Sequence, residues 1–219
     1  MTRLRVRNAF RSGEGQDALR GTLETSRIRS TSSEEEKLVS TKSRATIEDL
    51  YQVEGKAELV DGEIVLMPPA GDEPGRASVN IVISLHDHEQ HTGIGRVYGD
   101  GTGFHVHLPH REAFSPDAAY HVGPRTGMRF LEGAPIFAVE IRSENDYGRA
   151  AEEKIKQKRA DYFACGTLVV WDVDLLSEDV VKVYRASDPD NPTIYRRGDI
   201  AEAEPAVPGW RLAVDDLFR

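Results

Sequence analysis

Three carboxylates and two lysines are the residues best suited to do chemistry together. Asp117 follows Pro116 inside a predicted strand at 114–122, and Glu140-Ile141-Arg142 ends a second predicted strand at 136–142. Glu58 opens an earlier strand. Lys154 and Lys158 lie one turn apart on a charged helix predicted at 148–164. The chemistry such a set supports is phosphodiester hydrolysis. Hard oxygen ligands such as Asp117 and Glu140 suit Mg2+ or Mn2+, and the Ile141 carbonyl offers a further oxygen. The metal acidifies its water, and a lysine beside it orients the attacking water and adds positive charge.

Taken singly, each residue also fits an exposed strand end or a solvated helix face. Glu140 is the exception, because it closes the apolar run Phe137-Ala138-Val139. A carboxylate there is partly desolvated and needs a partner.

The elements that must position these side chains read as a mixed α/β (α+β) pattern. Thr46 caps a short helix, and Glu58 to Met67 reads as two strands around the Asp61-Gly62 turn. A helix follows at about 76–90, with Val79, Val82, Ile83 and Leu85 at helical spacing. Two strands flank Gly99-Asp100-Gly101, the second at 102–108. The helix at 148–164 stops at Cys165-Gly166. Leu168 to Val173 is a buried strand, 180–184 an alternating one, and short strands follow to Phe218. This order predicts a mixed sheet with helices on both faces.

Other motifs have blander readings. His86, His88 and His91 do not share one helix face, so they read as a solvated helix end. His105 and His107 point the same way from a strand; a polar sheet face is the simpler reading, zinc the alternative. Tyr162 and Trp171 read as core, and Cys165 as a small packing residue. Gly99 to Gly103 lacks the lysine of a phosphate loop and reads as a turn.

Charge argues against nucleic acid at first sight. Residues 1–44 carry 10 basic and 6 acidic residues, whereas 45–219 carry 18 and 31. Phosphate affinity comes from clustered Lys and Arg, so a strongly acidic domain must concentrate its carboxylates around metal to qualify. Residues 1–44 have little apolar periodicity, which predicts a disordered extension with at most a short helix at 34–39. No apolar run reaches a membrane span, and the N-terminus lacks the apolar stretch of a secretory signal. The single cysteine excludes an intrachain disulfide and suits a cytoplasmic setting.

Residues 45–219 resemble the Uma-two family of bacterial endonucleases with the PD-(D/E)XK restriction-endonuclease-like fold. The resemblance rests on Glu58-Leu59-Val60-Asp61-Gly62-Glu63, Pro116-Asp117 and Val139 to Asp146. It continues through Lys158-Arg159-Ala160-Asp161-Tyr162 with Gly166, Val170 to Asp174, and Pro208-Gly209-Trp210. It implies a restriction-endonuclease-like mixed β-sheet flanked by helices, a DNA substrate and a Mg2+ (or Mn2+) cofactor. It implies Asp117 and Glu140 as metal-binding acids, Glu58 as an additional one, and a candidate catalytic set of Glu58, Asp117, Glu140 and Lys158. The motif's usual lysine position holds Arg142, and Lys158 matches the lysine displaced to the following helix. That leaves Arg142 for phosphate contact or ion pairing, and Lys154 as the second-choice lysine or a phosphate contact. Pro74 stands where the family often has a histidine. A homodimer suits cleavage of two antiparallel strands. The rival expectations are an inactive nuclease-fold binding module associated with mobile elements, and a β-rich small-ligand binder using the histidines.

Overall fold

A computed structural model describes residues 44–219; the expected extension at 1–43, with its short helix at 34–39, lies outside the described residues. The chain opens with α1 (Ile47–Leu50), capped reciprocally by Thr46 and Asp49, and the hairpin β1 (Ala57–Val60) and β2 (Glu63–Leu66). Asp61 (φ 54°) and Gly62 (φ 73°) both take the left-handed conformation that a two-residue hairpin turn requires. Next come α2 (Asp72–Thr92), β3 (Arg96–Gly99), β4 (Phe104–Leu108), β5 (Arg111–Phe114), β6 (Ala118–His121), β7 (Leu131–Glu132) and β8 (Phe137–Ile141). Helix α3 (Arg149–Ala164) leads to β9 (Val169–Val173), β10 (Val181–Arg185), β11 (Asp188–Tyr195), β12 (Ile200–Glu202), β13 (Arg211–Ala213) and a 3-10 turn (Val214–Phe218). No helix among the described residues is long and apolar enough to cross a membrane.

The strands form two mixed sheets where the sequence suggests one. A six-stranded sheet runs β11-β10-β9-β8-β6-β3, and a five-stranded sheet runs β2-β1-β5-β4-β7; β12 and β13 form a small ribbon. β8 and β9 are parallel, as the α3 crossover between them allows, and β4 and β7 are the other parallel pair. The strands on either side of Gly99-Asp100-Gly101 do not pair with each other. β3 joins β6 in the larger sheet, and β4 joins β5 in the smaller.

Alternation along the larger sheet divides its two faces. Phe137, Val139, Ile141, Val169, Trp171 and Val173 point into one core with Ala77, Ile81 and Leu85 of α2. Trp171 anchors this core, edge-on to Phe137 at 5.4 Å and beside Trp210 at 5.0 Å. Both indoles keep their N–H groups bonded, to Glu202 O and Ser84 Oγ. Ala119, Ala138 and Val170 point the other way, into a second core with Phe104, Phe114 and Leu131 of the smaller sheet and Tyr162 of α3. Glu140 has the parity of Ala138, so the pleat turns it toward the smaller sheet and α3.

Two predicted elements differ. The strand at 114–122 is interrupted: β5 ends at Phe114 and β6 begins at Ala118. Pro116 has no N–H to give a ladder, so Asp117 sits in the link before β6 and not inside a strand. Helix α2 begins at Asp72, earlier than the apolar spacing predicts, because Pro74 is tolerated in a first turn where its missing N–H has no partner to lose.

Candidate active site

The ammonium of Lys158 joins two carboxylates from different sheets. Its Nζ lies 2.7 Å from Glu140 Oε2 on β8 and 2.9 Å from Glu58 Oε1 on β1. Tyr162, one helical turn beyond Lys158, donates its hydroxyl to Glu140 Oε1 at 2.7 Å. Its ring stacks on Phe114 with centroids 4.0 Å apart, which fixes the hydroxyl. Residues at i and i+4 of α3 therefore hold both oxygens of one carboxylate.

Glu58 is buried with both oxygens hydrogen-bonded. Arg111 Nη1 donates to Oε2 at 2.5 Å, and the Ser115 backbone N–H donates to Oε1 at 2.9 Å. Arg111 is held in turn by Asp161, Nε to Oδ2 at 2.8 Å, and Asp161 Oδ1 meets His110 Nε2 at 2.8 Å and the Gln157 amide at 2.9 Å.

Asp117 is beside Glu140's strand. Its Oδ2 accepts the Ile141 N–H at 2.7 Å, and Lys56 Nζ lies 2.6 Å from its Oδ1. Lys56 also pairs with Asp100 at 2.7 Å. Ser78 of α2 ties down Asp117's backbone by donating to its carbonyl at 2.7 Å. A cleft of about 320 Å3 opens here, lined by Asp100, Asp117, Ile141, Ser143 and the first turns of α2.

The charges set each other's protonation. Burial opposes ionisation of Glu58, but Lys158, Arg111 and the Ser115 N–H more than offset it and hold its carboxyl below the ordinary range. Burial, helped by the negative charges of Asp117 and Glu58, lifts Glu140 above that range despite Lys158. Burial alone would lower Lys158, but Glu140 and Glu58 raise it, so the ammonium stays charged. Burial and the same two carboxylates keep Tyr162 protonated as a donor.

The fold thus gathers Glu58, Glu140 and Lys158 in direct contact and sets Asp117 next to them. Arg142 and Lys154 stand apart. The sequence offers Arg142 for phosphate contact or ion pairing, and in the structure it is ion-paired. Both edges of its buried guanidinium are occupied, by Asp172 (Nε and Nη2, each 2.8 Å) and by Glu152 at the start of α3. Lys154 is exposed and makes none of these contacts.

Sequence reasoning missed Lys56, Asp100, Arg111 and Asp161, and took Tyr162 for core alone. Three of these had a signal. Lys56 precedes Glu58 by two residues, the spacing of one strand face, and Asp161 and Tyr162 follow Lys158 at helical i+3 and i+4.

The Uma2 family, described as "Putative restriction endonuclease", matches residues 45–215. A solved structure described as a "putative nuclease belonging to DUF820" from Anabaena variabilis ATCC 29413 superposes with a TM-score of 0.61. It is 18% identical, and the match covers 79% of this chain and 97% of that one, so the likeness is one of fold. No curated protein matches.

Proposed function

The chain belongs to the Uma2 family, and from that premise we propose that it is a divalent-metal-dependent endonuclease hydrolysing phosphodiester bonds in DNA. The observation that carries the reading is the Lys158 ammonium seated between Glu58 and Glu140, with Asp117 alongside.

Glu58, Asp117 and Glu140 would hold Mg2+ or Mn2+, with Asp100 as a nearby further oxygen. The charge of the cluster fits such an ion. Five carboxylates (Glu58, Asp100, Asp117, Glu140, Asp161) face three fixed cations (Lys56, Arg111, Lys158), which leaves two negative charges, the charge of one dication. Glu140, lifted above the ordinary carboxylate range, is the group most in need of that charge. When bound, the ion supplies an acidified water and Lewis acidity at the phosphate.

The chain's own residues do the positioning. Lys158 stays charged, orients the attacking water and stabilises negative charge growing on the phosphate oxygens. Tyr162 fixes the rotation of Glu140, and Arg111 with Ser115 N–H fixes Glu58, so both acids are held before any ligand arrives. Residues 45–219 form the nuclease unit in this reading and 1–44 an extension outside it. It acts in the cytoplasm, and two copies related by a two-fold axis would suit two antiparallel strands.

A second reading, an inactive nuclease-fold binding module associated with mobile elements, draws on the acidic balance of 45–219 and on lysines already paired with the acids. Calorimetric titration with Mn2+ separates the two. The nuclease reading expects binding by the wild type that Asp117→Ala and Glu140→Gln lose. A wild type that binds no divalent metal makes the inactive module the better account.

A further inference from the structure

His105, His107 and Glu132 form a second group of ligands, on the opposite side of the smaller sheet from the carboxylate centre. Their ligand atoms all lie within 4.8 Å of one another. His105 Nδ1 is 3.3 Å from Glu132 Oε1, and His107 Nε2 is 4.0 Å from Glu132 Oε2. The two imidazole rings are 4.4 Å apart at 69° to each other. Among the described residues this is the one set of three or more His, Cys, Asp or Glu side chains whose ligand atoms all lie that close to one another; the Glu58, Asp117 and Glu140 carboxylates stand farther apart, with Lys158 bridging two of them.

The backbone builds the group. His105 and His107 are two residues apart on β4, so both project from one face. Glu132 is the direct partner of His105 in the parallel β4–β7 pair. Hydrogen bonds on either side of Glu132 lock that register, Leu131 N to Gly103 O at 3.0 Å and Gly133 N to His105 O at 2.9 Å. Phe104, Val106 and Leu131, of opposite parity, are buried in the core that holds Tyr162, on the carboxylate side. That puts the histidines on the face away from Glu58, Glu140 and Lys158.

We propose that His105, His107 and Glu132 bind a transition-metal dication of the Zn2+ class, separate from the nuclease centre. Two imidazole nitrogens with one carboxylate are the ligands of a borderline-soft ion and a poor match for Mg2+. In a tetrahedral site with bonds of about 2.0–2.1 Å the ligand atoms stand roughly 3.4 Å apart, so separations of up to 4.8 Å must contract by at most about 1.4 Å. His107 and Glu132 are 75% and 60% exposed at their side chains, so their tips can make that adjustment without disturbing the core. Three protein ligands leave a fourth position open to water. The ion would clip β7, a strand of two residues at the sheet edge, onto β4, and so add to stability.

The test is Zn2+ titration by calorimetry, with thermal unfolding of the same samples, on wild type, His107→Ala, Glu132→Gln and Asp117→Ala. The proposal expects a Zn2+ site in the wild type, retained in Asp117→Ala and insensitive to excess Mg2+. His107→Ala and Glu132→Gln should each weaken it by more than about tenfold, since even loss of an outer-shell partner typically costs 10–100-fold. The Zn2+-induced rise in thermal midpoint should vanish with it, while Mg2+-dependent DNA cleavage by His107→Ala stays at the wild-type level. Zn2+ binding of equal strength in His107→Ala, or none in Asp117→Ala, overturns the proposal.

Discussion

Replacing Lys158 by methionine keeps the volume of the stem and removes the charge that Glu58 and Glu140 share. Both acids then face each other across the space that Nζ fills, 2.9 and 2.7 Å from their oxygens. Removing one partner of a buried ion pair costs about 3–5 kcal/mol. Lys158 and Glu140 keep 16% and 24% exposure, so the low end, about 3 kcal/mol, is the expected cost near pH 8. At roughly 2–4 °C per kcal/mol for a domain of this size, the thermal midpoint should fall by about 6–12 °C.

The loss should depend on pH. Glu140 already has a folded pKa above its unperturbed 4.5, so its contribution is fully present below that value and is lost as pH rises through the folded pKa. Without Lys158 that folded pKa climbs further, and the loss extends to higher pH. Glu58 has a lowered pKa, so what Lys158 lends it is present above the ordinary carboxylate range and fades as pH falls. Both effects make the variant's deficit large at pH 8 and small near pH 5. The assay is thermal unfolding of wild type and Lys158→Met at both pH values in metal-free buffer. An equal deficit at pH 5 and pH 8, or none at pH 8, refutes the view that this ammonium neutralises the pair.

Three further outcomes follow from the same geometry. Lys56→Met removes a positive charge held 2.6 Å from Asp117 and 2.7 Å from Asp100, so Mn2+ should bind several-fold more tightly by calorimetry; weaker binding would mean Lys56 does not compete for the acids. Arg142→Ala strands the buried Asp172 and should cost about 3–5 kcal/mol in denaturant unfolding, with Mn2+ affinity unchanged, and Arg142→Lys should recover little because an ammonium cannot bond bidentately. Lys154→Ala, altering an exposed residue one turn from Lys158, should keep most of any cleavage activity, and a dead Lys154→Ala beside an active Lys158→Met would exchange their roles.

Much of the fold was legible because local pattern and burial agree. The Asp61-Gly62 turn, the apolar run ending at Glu140 and the Cys165-Gly166 stop each name an element from neighbouring residues. The division into two sheets was not, since the Gly99–Gly103 turn says only that the chain changes direction and not where each strand pairs. β5 was missed for a similar reason. Arg111-Glu112-Ala113-Phe114 alternates poorly by polarity, because Arg111 is buried by its pairs with Glu58 and Asp161, residues 53 and 50 positions away. The site shows the same split. Glu58, Asp117, Glu140 and the Lys154–Lys158 pair stand out by type and position in their elements, and only the family resemblance chooses Lys158 of the two, whereas Lys56 and Asp100 join them only through contacts that folding creates.

The central claim is that these acids make a metal-dependent DNA-cutting centre, and nicking of supercoiled plasmid DNA tests it most directly. The account predicts that the wild type converts supercoiled to open-circular and linear DNA with Mg2+ or Mn2+, that EDTA stops it, and that Asp117→Ala, equally folded by circular dichroism, does not cut. Cleavage that persists in Asp117→Ala, or a wild type that binds Mn2+ and leaves the plasmid intact, would contradict it.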